Sequence, residues 1–183
     1  MEHCATVHYS PIGSVPFHRY NGVVLGVEGG QPFVAHYWVG IKEHTGRLEC
    51  SAQRVFEGRL GGIFLIREPE GRWLGRSLNE RKHSPIPTLD TAVELDFEFT
   101  PVTNMLAINR LNLAVGESAE LVTAWVRFPT LTVEPFPQRY TRLAERTYRF
   151  ESEGFAADLE VDDLNLVVRY GDLWERVAVS DGE

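Results

Sequence analysis

The chain has 183 residues, of which 43% are hydrophobic and 24% charged, and its net charge at pH 7 is −8. A domain of this length buries roughly 70% of the surface its unfolded chain exposes, so it needs no disulfide or metal staple, and the composition excludes a disordered chain. The acidic balance argues against a partner with a nucleic-acid backbone, which calls for a basic excess.

Lysine occurs only at Lys42 and Lys82, so arginine carries almost all the positive charge. Cys4 and Cys50 allow one bridge and force none. No basic region followed by an apolar run opens the chain, and no apolar run approaches the roughly 20 residues of a membrane span. The expectation is a cytoplasmic protein with free thiols and no integral membrane association.

Short β-rich runs between turn residues dominate the pattern. Tyr20–Val27, the turn Glu28-Gly29-Gly30 and Pro32–Ile41 read as a hairpin. Arg47–Phe56 reads as a third strand and Gly61–Arg67 as a fourth. Glu68-Pro69-Glu70-Gly71 is a turn before the short strand Arg72–Arg76. Leu78–Leu89, with Pro85 and Pro87, reads as an irregular connection inside one continuous domain, residues 1–183.

Thr91–Phe99 alternates cleanly. Val93, Leu95, Phe97 and Phe99 share one face, and Glu94, Asp96 and Glu98 the other. Pro101 stops this strand, and Thr103–Arg110 is the best candidate for a helical turn. Ser118–Phe128 reads as a buried strand, after which Pro129, Pro135 and Pro137 break the chain. Gln138–Leu143 and Arg146–Ser152 read as two strands, because Tyr140, Thr141, Thr147, Tyr148 and Phe150 favour the pleated surface. The competing helix would align Arg139, Arg142, Arg146 and Arg149 as one basic face. Phe155–Val161 and Leu166–Tyr170 flank Asp162-Asp163-Leu164-Asn165 as a hairpin, and Trp174–Val179 ends the chain. Roughly ten strands with one or two short helical turns imply an all-β fold whose sheet curls or closes, since long open edges invite aggregation.

The common catalytic signatures are absent: no GxSxG, Walker loop, GxGxxG, HExxH or CxxC occurs. The six histidines are scattered, with His36 and His44 the nearest to a pair, so no metal site and no cofactor are expected. The Glu94/Asp96/Glu98 face is either an acid–base or cation site or, more simply, a solvated or arginine-paired face. Asp162 and Asp163 read as turn residues that accept backbone hydrogen bonds. The arginines 139, 142, 146 and 149 suit either an anionic head group or nearby glutamates. Trp38, Trp73, Trp125 and Trp174 are core residues or the lining of an apolar cavity.

The run from Leu95 to Leu111, LDFEFTPVTNMLAINRL, continuing as Leu113-Ala114-Val115-Gly116-Glu117-Ser118, resembles the "Putative glycolipid-binding" family of bacterial proteins. Trp125–Pro129, Gln138-Arg139-Tyr140, Tyr148–Ser152, Leu159–Asp162 and Val167–Tyr170 resemble it too. Ala107 stands where that family has proline, Asn109 where it often has arginine, and His8-Tyr9 where a tryptophan is expected. The resemblance implies a curled antiparallel sheet, a spiral β-roll or half-barrel, that shelters acyl chains.

Within the matched segments the candidate ligand-binding residues are Asp96, Thr103, Asn104, Arg110, Arg139 and Tyr140. The rival reading of the same run is a structural corner in which Thr103 and Asn104 satisfy a turn and Asp96 pairs with Arg110. The expected function is non-enzymatic binding of an amphipathic ligand, such as a glycolipid or other acyl-bearing molecule. Two alternatives stand beside it: a hydrolase of sugar or lipid working through a carboxylate pair, and an interaction module with no small-molecule ligand.

Overall fold

The computed structural model describes residues 3–11, 17–42 and 44–179; of residues 3–11 and 17 it describes the backbone. Among the described residues the chain forms two compact units. Those up to Thr91 join Val126–Glu134 in the first, and Ala92–Trp125 join those from Pro135 onward in the second.

The first unit is a seven-stranded antiparallel meander in chain order: β1 (His3–Pro11), β2 (Phe17–Glu28), β3 (Gln31–Lys42), β4 (Arg47–Phe56), β5 (Arg59–Arg67), β6 (Trp73–Ser77) and β7 (Ser84–Pro85). The β2–β3 hairpin closes on Gly29-Gly30, with φ of +55° and +79°. Two consecutive positive φ values match the twist of the flanking strands, and glycine adopts them without strain. The strand read from the pattern as Gly61–Arg67, β5, begins two residues earlier, at Arg59.

Alternation sorts the two faces of this sheet. Tyr20, Val24, Phe33, Ala35, Tyr37, Val39, Leu48, Cys50, Ala52, Leu65 and Trp73 are buried on one face. Phe128 packs on that face, with its ring 4.4 Å from that of Phe33. Cys50 is a buried free thiol. The side chain of Cys4 lies outside the described residues, as do those of His3, His8 and Tyr9.

The second unit holds most of a second seven-stranded antiparallel sheet: β8 (Glu94–Phe97), β9 (Ser118–Val126), β10 (Val133–Ala144), β11 (Thr147–Ser152), β12 (Phe155–Val161), β13 (Val167–Tyr170) and β14 (Trp174–Glu175). Between β8 and β9 lies a 3-10 turn, Pro101–Thr103, running into the helix α1 (Asn104–Leu111). Asn112, at φ +43°, ends that helix in the left-handed conformation asparagine tolerates. Ala107, Ile108, Leu113, Leu121, Tyr140, Tyr148, Phe150, Leu159 and Val161 form the core of this unit.

Three readings from the pattern need correction. The strand expected over Thr91–Phe99 is only Glu94–Phe97, because Thr100 turns the chain by accepting the Val102 amide. Glu94, on a face read as solvated or arginine-paired, is buried, so only the solvated reading fails.

Pro135 and Pro137 do not break the chain; both lie within β10. Arg142 exchanges its backbone bonds with Gly116 and Glu117, so odd-numbered residues of β10 turn their nitrogens toward β11. The pairing with β11 starts only at Arg139. The prolines precede it, so their missing N–H groups cost no ladder bond.

The expected β10–β11 hairpin is present. The expected hairpin at Asp162–Asn165 is present too, with Asp162 Oδ1 accepting the amides of Leu164 and Leu166 at 2.9 Å each.

Candidate functional site

The residues of the Asp96–Arg110 run fall into two separate sets. Thr103 Oγ1 accepts the Phe97 amide at 3.0 Å and donates to Asp96 Oδ1 at 2.9 Å. Gln138 Nε2 donates to Asp96 Oδ2 at 2.7 Å, and Tyr140 donates to Gln138 Oε1 at 3.3 Å. Asn104 Nδ2 donates to the Tyr140 hydroxyl at 2.9 Å. The structure therefore gathers Asp96, Thr103, Asn104 and Tyr140 into one chain of bonds pointing at a carboxylate.

Thr103, Asn104, Gln138 and Tyr140 are all buried. Burial raises the pKa of Asp96, against the bonds from Thr103 and Gln138, and nearby Glu98 raises it further. Burial raises that of Tyr140 well above its ordinary value, with the charge of Asp96 adding to the effect. Tyr170 is raised by the same two causes, and its ring stands 6.0 Å from those of Phe150 and Phe155.

Arg110 is not part of this chain. Its Nε lies 2.5 Å from Glu94 Oε1, so the Asp96–Arg110 pair expected of a structural corner is replaced by Glu94–Arg110. Arg139 also stands apart: it is half exposed and lies 3.5 Å from Glu120 and 3.9 Å from Glu151. The other arginines of its set disperse as well. Arg142 donates to the carbonyls of Leu113 and Glu145, Arg146 pairs with Asp163, and Arg149 with Asp158 at 3.0 Å. No common basic face forms, because strand geometry sends them to different neighbours.

The carboxylates 94, 96 and 98 have three different settings. Glu94 is tied to Arg110, both oxygens of Asp96 accept bonds, and Glu98 is exposed. No group of three potential metal ligands occurs among the described residues.

The first unit contains an open cavity of about 270 Å³. Its wall comes from the start of β5, the end of β6 and the Thr130–Leu131 turn. Leu60, Ile63, Leu78 and Leu131 supply apolar surface, and Ser77, Asn79 and Thr130 supply hydroxyl and amide groups. Gly61 and Gly62 keep the floor low. A Cβ on Gly61 would stand 3.1 Å from the Arg54 guanidinium carbon, which lies across it to reach the carbonyls of Pro129 and Arg59.

Leu60 belongs to a second feature. The strand registers place Leu25, Val34, Val55 and Leu60 directly opposite one another across β2 to β5, on the face turned away from the core. Leu25, Val55 and Leu60 are 51%, 45% and 63% exposed. With strands about 4.8 Å apart, this apolar row is roughly 14 Å long.

Neither the cavity nor the row was visible in the pattern. Each strand showed its own alternation, but a row across four strands exists only once the registers are set.

Together these features describe an all-β protein with one short helix, built of a curled half-barrel sheet and a second antiparallel sheet. A crystal structure of a DUF1089 family protein from Pseudomonas aeruginosa has the same fold, with a TM-score of 0.81 and 23% identity over 97% of this chain and 93% of that one. The model of the family described as "Putative glycolipid-binding" matches residues 17–176, and the chain belongs to that family. No curated protein matches it. Among the described residues no helix is long and apolar enough to cross a membrane.

Proposed function

We propose that the protein binds an amphipathic ligand, a glycolipid or similar acyl-bearing molecule, and does not transform it. The observation that carries this reading is the apolar row that ends in the cavity at Leu60. The row offers an acyl chain a continuous apolar track, and the cavity offers a sugar hydrogen-bonding groups set among leucines. Such a mixture of apolar wall and few polar groups is what orients small ligands in protein sites. Membership of the family supports the same class of ligand.

The candidate residues Asp96, Thr103, Asn104 and Tyr140 then act as the frame of the second unit. We assign the protein to the cytoplasm on the support of the buried free thiol of Cys50.

Titration with n-dodecyl maltoside below its micelle concentration, followed by calorimetry, tests the reading. Saturable one-to-one binding is expected, weakened about tenfold by Leu60→Asp, since burying a leucine is worth roughly 1.5–3 kcal/mol. A protein that takes up no dodecyl maltoside, and that releases no lipid on solvent extraction after purification, would overturn it.

A further inference from the structure

The face that carries the apolar row also carries an unbalanced charge. Taking every described residue of β2 to β6 that points away from the core, the charged ones are Arg19, Lys42, Arg47, Glu49 and Arg76. Four cations stand against one carboxylate, in a chain whose net charge is −8. Glu49 is already held by Arg47 at 2.7 Å and Lys42 at 3.6 Å. That leaves Arg19 and Arg76.

Both of these arginines lie over aromatic rings. The guanidinium carbon of Arg19 is 4.9 Å from the centre of the Trp38 ring, and that of Arg76 is 3.7 Å from the centre of Phe64. Trp38, Ser51, Phe64 and Arg76 are register partners on β3 to β6, and Ser51 is buried between the two rings. The two rings therefore sit about two strand spacings apart, roughly 10 Å, with one cation over each.

A guanidinium over an aromatic face keeps N–H groups at its edge for another partner. Arg76 Nη1 donates to the carbonyl of Glu80 at 3.1 Å, and the Glu80 carboxylate accepts the Ser77 amide at 2.6 Å, with the charge of Arg76 a smaller influence on it. The Nε of Arg19 is buried and has no hydrogen-bond acceptor among the described residues. A buried donor left without an acceptor costs free energy that a ligand oxygen would recover. The field reaches further: His83 is held below its ordinary pKa by burial first, then by Arg76 and Arg47.

We propose that the ligand of this face is an anionic amphiphile, whose acidic headgroup is held by Arg19 and Arg76 above the Trp38–Phe64 row while its chain lies along Leu25, Val34, Val55 and Leu60. This rests on the amphiphile-binding reading above and keeps its apolar track, but moves the headgroup from the cavity at Leu60 to the two arginines and narrows it to one with acidic oxygens, phosphate or carboxylate. A sugar hydroxyl can accept from the Arg19 Nε, but an uncharged headgroup would leave the excess positive charge of this face unbalanced.

The test compares two probes with the same chain, n-dodecyl phosphate and n-dodecyl maltoside, by calorimetry at low salt. The phosphate is expected to bind at least tenfold more tightly, and each of Arg19→Gln and Arg76→Gln to weaken it about tenfold while leaving the maltoside unchanged. Arg149→Gln removes the same charge from the second unit and is expected to change neither. Thermal melts of the variants show whether they are folded. Equal affinity for the two probes, or a preference that survives both arginine substitutions, overturns the anionic headgroup and leaves amphiphile binding standing. Failure of both probes to bind overturns the parent reading as well.

Discussion

Gln138 Nε2 donates to Asp96 Oδ2 at 2.7 Å, joining residues 42 apart in sequence. Burial outweighs this bond and that from Thr103, so Asp96 has a higher pKa in the folded protein than in the unfolded chain. The fold then holds the proton longer than the unfolded chain does. Its contribution to stability is full below the ordinary aspartate value of about 3.9 and is lost as pH rises through the raised value. Asp96→Asn removes this dependence. It also points an amide at a donor, at a cost of about 1–3 kcal/mol. Urea midpoints of both proteins across the acidic range should show the wild type's advantage shrinking as pH rises. A gap that stays constant with pH would show that Asp96 does not titrate differently in the fold.

The pair Glu94–Arg110 yields a second expectation. Glu94 is buried, and Arg110→Gln leaves it without its guanidinium. Breaking a fully buried pair costs about 3–5 kcal/mol; with the Arg110 side chain 39% exposed, water compensates in part and about 2 kcal/mol is expected. Glu94→Gln leaves only a neutral amide behind and should cost less. A double-mutant cycle in denaturant should give a favourable coupling of roughly 1 kcal/mol or more. A coupling near zero would mean that the pair is screened as at a surface.

How far the fold was legible follows from these residues. The strand order, the hairpin at Gly29-Gly30 and the helix near Thr103–Arg110 were readable because they depend on local chemistry: turn glycines, alternation, a proline stop. The Asp96 network was half legible. Thr103 and Asn104 stood out in the matched run, and Gln138 lay within a matched segment, yet nothing in the pattern said that Gln138 would meet Asp96. For Glu94 the choice between a solvated and an arginine-paired face stayed open, because alternation reveals two faces without telling whether the polar one meets water or a helix. Here it meets Arg110 of α1. The Trp38–Phe64 row and the cavity at Leu60 depend on registers across several strands, which no single strand encodes.

Gly75 tests the packing of the first unit. A Cβ built there would lie 2.5 Å from Ile86 Cδ1 and 3.0 Å from Leu65 Cδ2. Gly75→Ala should therefore overpack the sheet and cost about 1–2 kcal/mol. The nearest atom is the tip of a flexible side chain, and Ile86→Val removes it. The double variant should be less destabilised than the sum of its parts when both are measured by thermal melts. Simple additivity would show that the backbone, and not Ile86, takes up the strain.

The two compact units bear on the single-domain expectation for residues 1–183. We propose that they unfold together. The chain passes between them at Thr91, Trp125 and Glu134, and β9 and β10 each contribute residues to both. Circular dichroism and tryptophan fluorescence should give coincident denaturation curves. Trp38 and Trp73 report on the first unit, and Trp125 and Trp174 on the second. Two resolved transitions would mean two domains.

Cys50 offers a probe of opening in the first unit. It is buried at the centre of β4, and burial pushes its thiol pKa far above the ordinary range, against the backbone hydrogen bond with Leu65. The thiolate is the reacting form, so the folded protein should modify slowly at pH 8. Labelling with iodoacetamide and mapping by peptide mass spectrometry separates Cys50 from Cys4. Modification of Cys50 should be negligible in buffer and rise with urea along the unfolding curve. Arg110→Gln lies in the second unit, so under joint unfolding it should speed Cys50 labelling in proportion to its loss of global stability. Labelling at Cys50 that ignores that substitution would instead reveal a local opening of β4, independent of the rest of the chain.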